Sequence, residues 1–233
     1  MDFSGRHVIV TGGTGALGIA VVGALIEAGA TCHVPWHLAA EAERFPHRGH
    51  RQVVLVGNTD LTDEAAIARL YESAPRLWGS IHLAGGFAAA PVAQTGKADA
   101  MHQMDMNFVT CFLCCRAAVN SMKLGGGGGR IVNVAARAAL EWRSGAGTAA
   151  YTASKAAVAA LTAALAEEVA KDGILVNAVA PSIMDTPANR GAMPKADFSS
   201  WPKVEEVART ILFLASPENA VTRGAIVPVY GRA

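Results

Sequence analysis

The sequence is poor in charge and in aromatic rings: Asp, Glu, Lys and Arg make up 17% of its 233 residues, and Phe, Trp and Tyr 6%. Basic residues number 20 against 19 acidic ones, for a formal net charge of +1, and neither sign gathers into a run. That balance gives no electrostatic footprint for nucleic acid or an anionic membrane, so the expected partner is a small molecule. Cysteine is scarce too, with only Cys32, Cys111, Cys114 and Cys115. Cys111 and Cys114 have the spacing of a redox or zinc pair, yet no second pair or neighbouring histidine completes a tetrahedral set. Buried free thiols and no metal are expected, with His33, His37, His47 and His50 in solvated or structural roles. The chain opens without a basic stretch leading into an apolar one, and no run reaches ~18 uncharged apolar residues. A cytoplasmic protein with no membrane partner is the expectation.

Hydrophobic residues, by contrast, make up 52% of the chain, enough for a sheet buried on both faces. Short apolar runs recur between helical patterns: His7–Val10, Cys32–Val34, Gln52–Val56, Ile81–Gly85, a run from Arg130, another from Ile174, and Ile226–Val229. Helical periodicity follows the first run in GIAVVGALIEAG and returns at about Asp63–Ala74, Ala98–Met122, Thr148–Lys171 and Val204–Ala215. Uniformly apolar strands alternating with helices predict one α/β domain over 1–233, a doubly wound, seven-stranded parallel sheet of the Rossmann kind. Gly125–Gly129 reads as a flexible connector into the fifth strand. The stretch 181–202, rich in proline and placed after the sixth strand, is the candidate substrate lid.

Between the first strand and first helix lies TGGTGALG, Thr11 to Gly18, in which Gly13, Gly15 and Gly18 satisfy G-x-G-x-x-G. Glycine suits this turn because a side chain would keep a pyrophosphate from the amides at the helix start. Thr11, Gly12, Gly13, Gly15, Ala16, Leu17 and Gly18 are therefore candidate dinucleotide contacts. The acidic residue that would hold an NAD ribose about 20 positions on is missing: Trp36 and His37 stand there, with Glu41 and Glu43 further along. The expected cofactor is NAD(P)H, with NADP slightly favoured. YTASK, Tyr151 to Lys155, sets a phenol and an ammonium one helical turn apart. An ammonium there is expected to lower a phenol pKa of ~10 and make Tyr151 a proton exchanger.

With these pieces in place the chain resembles the short-chain dehydrogenase/reductase family over essentially its whole length. The matching segments are the glycine turn, Asp60, LAGG at Leu83–Gly86, Asn107, YTASK and VNAVAPSIMDTP. The resemblance implies catalytic roles for Tyr151, Lys155 and Asn107, the last holding a water in a proton relay. It also implies cofactor contacts from Trp36, His37, Asp60, Leu61, Ala84, Gly85, Gly86, Tyr151, Lys155, Pro181, Ile183 and Thr186, and assembly as a homodimer or homotetramer. Three departures stand out: Ala16 replaces the commonest middle glycine, Ser182 follows Pro181 where glycine is usual, and Ala135 and Ala136 occupy the place of the catalytic serine.

The loop Met184–Trp201, MDTPANRGAMPKADFSSW, is similar to that of the quinonoid dihydropteridine reductases, a branch that also lacks the serine. A quinonoid dihydropterin-like C=N substrate is what this implies, because its reduction restores a more stable ring. The C-terminal segment is equally ordinary for carbonyl and 3-oxoacyl reductases, and a non-catalytic nucleotide-binding sensor or scaffold is the alternative from another class. Retention of Tyr151, Lys155 and Asn107 argues against the scaffold.

Overall fold

The computed structural model describes residues 1–232. In chain order its elements are β1 (His7–Thr11), α1 (Ala16–Glu27), β2 (Thr31–Pro35), α2 (Ala39–Arg44), β3 (Val53–Val56), α3 (Glu64–Glu72) and β4 (Leu77–His82). There follow α4 (Lys97–Met104), α5 (Thr110–Leu124), β5 (Gly129–Val134), α6 (Arg137–Leu140), α7 (Ala149–Glu168), β6 (Ile174–Pro181), α8 (Pro187–Ala192), α9 (Val204–Ala215) and β7 (Ile226–Val229). The strands form one sheet in the order β3-β2-β1-β4-β5-β6-β7, with every pairing parallel. Strand order reverses between β1 and β4, and the crevice beyond their C-terminal ends is where such a sheet holds a ligand.

Alternation along the strands divides the core in two. Val8 and Val10 of β1 face α1 and α9, packing with Val21, Leu25, Val207 and Ile211. Ile9 faces the other side, with Leu70 of α3, Cys114 and Met122 of α5 and Val158 of α7. Burial on both faces is why the strands read as unbroken apolar runs.

Three boundaries differ from the sequence expectation. The fourth strand begins at Leu77 and ends at His82, so Leu83–Gly85 lies in a loop where a strand was expected. Trp78 and Ser80 hid its start, because a fully buried strand has no alternation to betray polar members. The helix expected over Ala98–Met122 is divided by a π turn at Asp105–Val109. There the Thr110 amide bonds the carbonyl of Asp105, and Thr110 Oγ1 donates to the passed-over Met106 carbonyl at 2.9 Å. The segment 181–202 contains α8 and a 3-10 turn at Phe198–Ser200, and Trp201 is buried. Helix α7 is long and apolar enough to cross a membrane by length and composition alone. It packs on β5 and β6 instead, with Ser154, Lys155 and Thr162 buried in the core.

Candidate active site

The glycine turn closes tightly, and its glycines answer different needs. Gly12 has φ +66°, and a Cβ there would lie 2.7 Å from the Ala84 amide nitrogen. A Cβ on Gly18 would come within 2.2 Å of the Gly12 carbonyl, and one on Gly13 within 2.8 Å of the Val34 side chain. These three are required by contacts within the protein. Gly15 is not: it is exposed, at φ −79° and ψ 172°, and its Cβ would meet only Gly12 O at 3.4 Å. Its bareness leaves space over the start of α1, where no side chain caps the helix and no acidic residue sits in the first turn. The first helix-forming bond runs from Ile19 N to Gly15 O, leaving the amides of Ala16, Leu17 and Gly18 without intrahelical acceptors. Space and unpaired donors together fit a pyrophosphate. Leu17 serves this site through its backbone only, since its side chain is in the core.

Thr11 ties the turn to the loop after β4, with the Leu83 amide bonding Thr11 O at 3.1 Å and the Ala84 amide reaching Thr11 Oγ1 at 3.4 Å. Gly85 and Gly86 continue that loop into contact with Asn107. The Gly86 amide donates to Asn107 Oδ1 at 3.1 Å, while Asn107 Nδ2 donates to Gly86 O at 3.0 Å and Gln103 O at 3.1 Å. A Cβ on Gly85 would lie 2.6 Å from Asn107 Oδ1 and 3.4 Å from Lys155 Nζ. Asn107, Gly85 and Lys155 are thus brought together. The π turn aims the asparagine there, a recurrent use of such turns at functional sites.

Lys155 is buried one turn along α7 from Tyr151, and its ammonium donates to Val134 O at 2.9 Å. Burial brings its pKa down to about 8, with the Cys111 thiol acting in the opposite direction. Tyr151 meets the Phe87 ring edge-on at a centroid distance of 4.9 Å. Its pKa is not lowered: burial pushes it up to about 12. The sequence expectation of a lowered phenol is corrected here, because desolvation of the phenolate is the governing effect. A phenol held neutral is a proton donor.

Ala135 and Ala136 are buried at the end of β5, where no hydroxyl replaces the serine. Of the hydroxyls between β5 and α7, Ser144 donates to Glu141 O at 2.8 Å, and Thr148 donates to Gly145 O at 3.0 Å beside Thr152. Phe87, exposed beside Tyr151, puts an apolar ring at the edge of the site.

On the nucleoside side, Trp36 lies over Gly57, whose Cβ would be 2.5 Å from the indole, and His37 is exposed. Asp60 accepts from the Thr62 amide at 2.8 Å and hydroxyl at 2.7 Å, which hold its carboxyl below the usual range, with His37 adding to the effect. The cap of α3 is Asp63, so Asp60 is free of that duty, and Leu61 is half-buried beside it. Pro181 closes β6, and Thr186 is buried at the start of α8, its Oγ1 accepting from the Asn189 amide at 3.2 Å. Within the segment 181–202, Arg190 grips Asp185 through two bonds of 2.6 and 2.8 Å.

Among the described residues the thiols are all free. Sequence spacing missed that His82 of β4 comes within 4.8 Å of the Cys111 and Cys115 sulfurs. The expectation that no histidine neighbours these cysteines is corrected, because chain distance says nothing of what a parallel strand sets beside a helix. Both His82 nitrogens are engaged by the protein, Nδ1 with Asn133 Oδ1 at 2.8 Å and Nε2 with Ser80 Oγ at 2.8 Å and Tyr71 OH at 3.2 Å. The cluster is a satisfied buried network.

Residues 6–197 match the family model described as "short chain dehydrogenase". The chain is 37% identical to galactitol 2-dehydrogenase of Rhizobium johnstonii, over 97% of this chain and 93% of that protein. It is 33% identical to cis-4-hydroxycyclohexanecarboxylate dehydrogenase of Sinomonas cyclohexanicum, over 98% and 96%. Among solved structures, a short-chain type dehydrogenase/reductase from Mycobacterium ulcerans superposes with a TM-score of 0.88 at 25% identity, covering 100% of this chain and 90% of that one.

Proposed function

The chain belongs to the short-chain dehydrogenase family and is an oxidoreductase of that kind, and from that premise we propose that it reduces a quinonoid dihydropterin-like C=N bond in a small molecule. The cofactor is a nicotinamide dinucleotide, NADP being slightly favoured by the lack of an acid at Trp36 and His37. When bound, it supplies the hydride. This chain's own residues manage the proton and the geometry. Tyr151, neutral with a pKa of about 12, donates its proton to the substrate nitrogen or oxygen. Lys155, fixed on Val134 O, sets a positive charge one turn from the phenolate that results. Asn107 holds the Gly85–Gly86 backbone against this pair.

The observation that carries the substrate reading is the pair Ala135 and Ala136, buried with no hydroxyl in their place. Without an electrophilic donor a carbonyl substrate forfeits ~3 kcal/mol of stabilisation, roughly 100-fold in rate. A quinonoid ring recovers its own electronic stability on reduction and needs that donor least. The similarity of Met184–Trp201 to the dihydropteridine reductase loop and the exposed ring of Phe87 against Tyr151 support the same substrate.

The names of the relatives, galactitol 2-dehydrogenase among them, are compatible with a second reading, a carbonyl or 3-oxoacyl reductase. Steady-state kcat/KM on quinonoid dihydropterin and on a panel of ketone and 3-oxoacyl substrates separates the two. Faster pterin reduction supports the proposal, whereas efficient ketone or 3-oxoacyl reduction with no pterin turnover replaces it with the second reading. We further propose that the enzyme works in the cytoplasm as a homodimer or homotetramer and has no nucleic-acid or membrane partner.

A further inference from the structure

We propose that His82, Cys111 and Cys115 form a binding site for one zinc ion, a soft-metal site in the core between β4 and α5 that the proposed reduction does not use.

Three buried side chains converge there from two elements. Cys111 and Cys115 are four residues apart on α5, so both sulfurs lie on one helical face. Strand β4 presents His82 to that face, and a ring nitrogen of His82 and the two sulfurs all lie within 4.8 Å of one another. Ligands of a single zinc ion, bound at ~2.0–2.3 Å, stand roughly 3.5–4 Å apart, so small side-chain turns close the set. The Cys115 sulfur is already 3.6 Å from His82 Nδ1. Asn133 brings a fourth atom, its Oδ1 lying 2.8 Å from His82 Nδ1 and 3.5 Å from the Cys115 sulfur. Its amide nitrogen donates to Thr162 Oγ1 at 2.9 Å, which keeps the oxygen turned toward the cluster.

The donor set and its surroundings select the ion. Two thiols and an imidazole are a soft set that takes zinc and passes over calcium and magnesium. Each thiol gives up its proton as zinc enters, so two protons leave for the two charges that arrive and the core gains no net charge. That balance allows a dication near Lys155, the cation on which Cys111 acts. Hydrogen bonding with Cys115, with His82 adding to it, draws the Cys111 thiol below the ordinary thiol range in spite of its burial. With zinc on Nδ1, the Nε2 proton goes to Ser80 Oγ, 2.8 Å away, and Ser80 is bonded in turn to Tyr71 OH at 2.8 Å. An imidazole ligand held from its far nitrogen in this way is the usual outer arrangement at a metal site. The same groups satisfy one another in the ion-free protein, so the fold does not depend on the metal. Cys32 stays outside the set, in the other half of the core.

The test titrates the full-length protein, its thiols kept reduced, with cadmium, whose thiolate complexes absorb by charge transfer in the ultraviolet, and then competes zinc against it. The wild type should bind one cadmium with a two-thiolate band, zinc should displace it, and each zinc should release about two protons near neutral pH. Cys111→Ser should halve the band and weaken zinc binding at least tenfold, while Cys32→Ser leaves both as they are. A full band in C111S, or no cadmium binding by the wild type, overturns the assignment. So does zinc binding with neither band nor proton release, the behaviour of exposed histidines such as His37 and His50. If C111S fails to fold, X-ray absorption of the zinc-loaded wild type decides. Two sulfurs and an imidazole around the metal support the site, and a shell without sulfur overturns it.

Discussion

Alanine at Gly15 should weaken cofactor binding sharply while leaving the fold intact, whereas alanine at Gly18 should damage the fold first. At Gly15 the backbone, φ −79° and ψ 172°, is open to any residue, and the added Cβ meets only Gly12 O at 3.4 Å, an ordinary contact. Replacing glycine by alanine at a helix N-cap costs about 1 kcal/mol. Reduced freedom of the unfolded chain returns about 0.4–1 kcal/mol. The melting temperature should therefore move by no more than ~3 °C for a domain of this size. Gly18→Ala instead drives a methyl to 2.2 Å from Gly12 O and 2.5 Å from Gly13 Cα, all of it backbone that cannot turn aside. Overpacking of that kind costs about 1–3 kcal/mol or more. Cofactor binding inverts the order of interest. A methyl on Gly15 stands between the phosphates and the amides of the first turn, and loss of one charge-assisted hydrogen bond alone, about 1.5–3 kcal/mol, weakens binding 10- to 100-fold. Calorimetry with NADPH and thermal melts of the two variants and the wild type make the comparison. Near-normal NADPH affinity in a folded Gly15→Ala protein would show that the pyrophosphate does not lie over this turn.

Stability should fall in mild acid because of His33, which lies 2% exposed in β2, bonded to His7 Nδ1 at 2.9 Å and Ser73 Oγ at 3.0 Å. Burial, with His7 adding to it, lowers its pKa from 6.5 to about 4, so between those values the unfolded chain binds the extra proton. Its contribution is complete above pH 6.5 and is lost as pH falls toward 4, on the order of 3 kcal/mol in all. Urea midpoints of the wild type should drop over that window more steeply than those of His33→Asn, and parallel curves would exclude His33 as the cause. Ala136→Ser should raise kcat/KM for a ketone by a larger factor than for quinonoid dihydropterin, since a donor helps most where charge on oxygen limits the rate. Equal factors would sink the argument from the missing serine.

Both the fold and the chemical end of the site were legible in the sequence because each depends on local pattern. Seven apolar runs alternating with helical periods are enough to specify a parallel sheet, and a glycine turn between strand and helix marks its ligand end. YTASK brings its own geometry, since four residues along a helix make one turn. What escaped depends on contacts between distant segments or on desolvation. His82 reaches Cys111 and Cys115 only once β4 lies under α5. The raised pKa of Tyr151 follows from burial, which a motif does not report. The π turn at Asp105–Val109 leaves the amphipathic pattern nearly unchanged, so periodicity extends one helix straight through it.

The account stands on Tyr151 as the proton donor of a nicotinamide-dependent reduction, and one comparison tests it most directly. Wild type and Tyr151→Phe are titrated with NADPH and then assayed for NADPH oxidation with the best substrate from the panel. The substitution removes one hydroxyl and leaves the glycine turn, Lys155 on Val134 O and the Phe87 contact in place. Affinity for NADPH should stay within about threefold, and kcat should fall by roughly 100-fold or more, the scale of a lost general acid. Turnover of Tyr151→Phe close to that of the wild type, with the cofactor bound as tightly, would contradict the account.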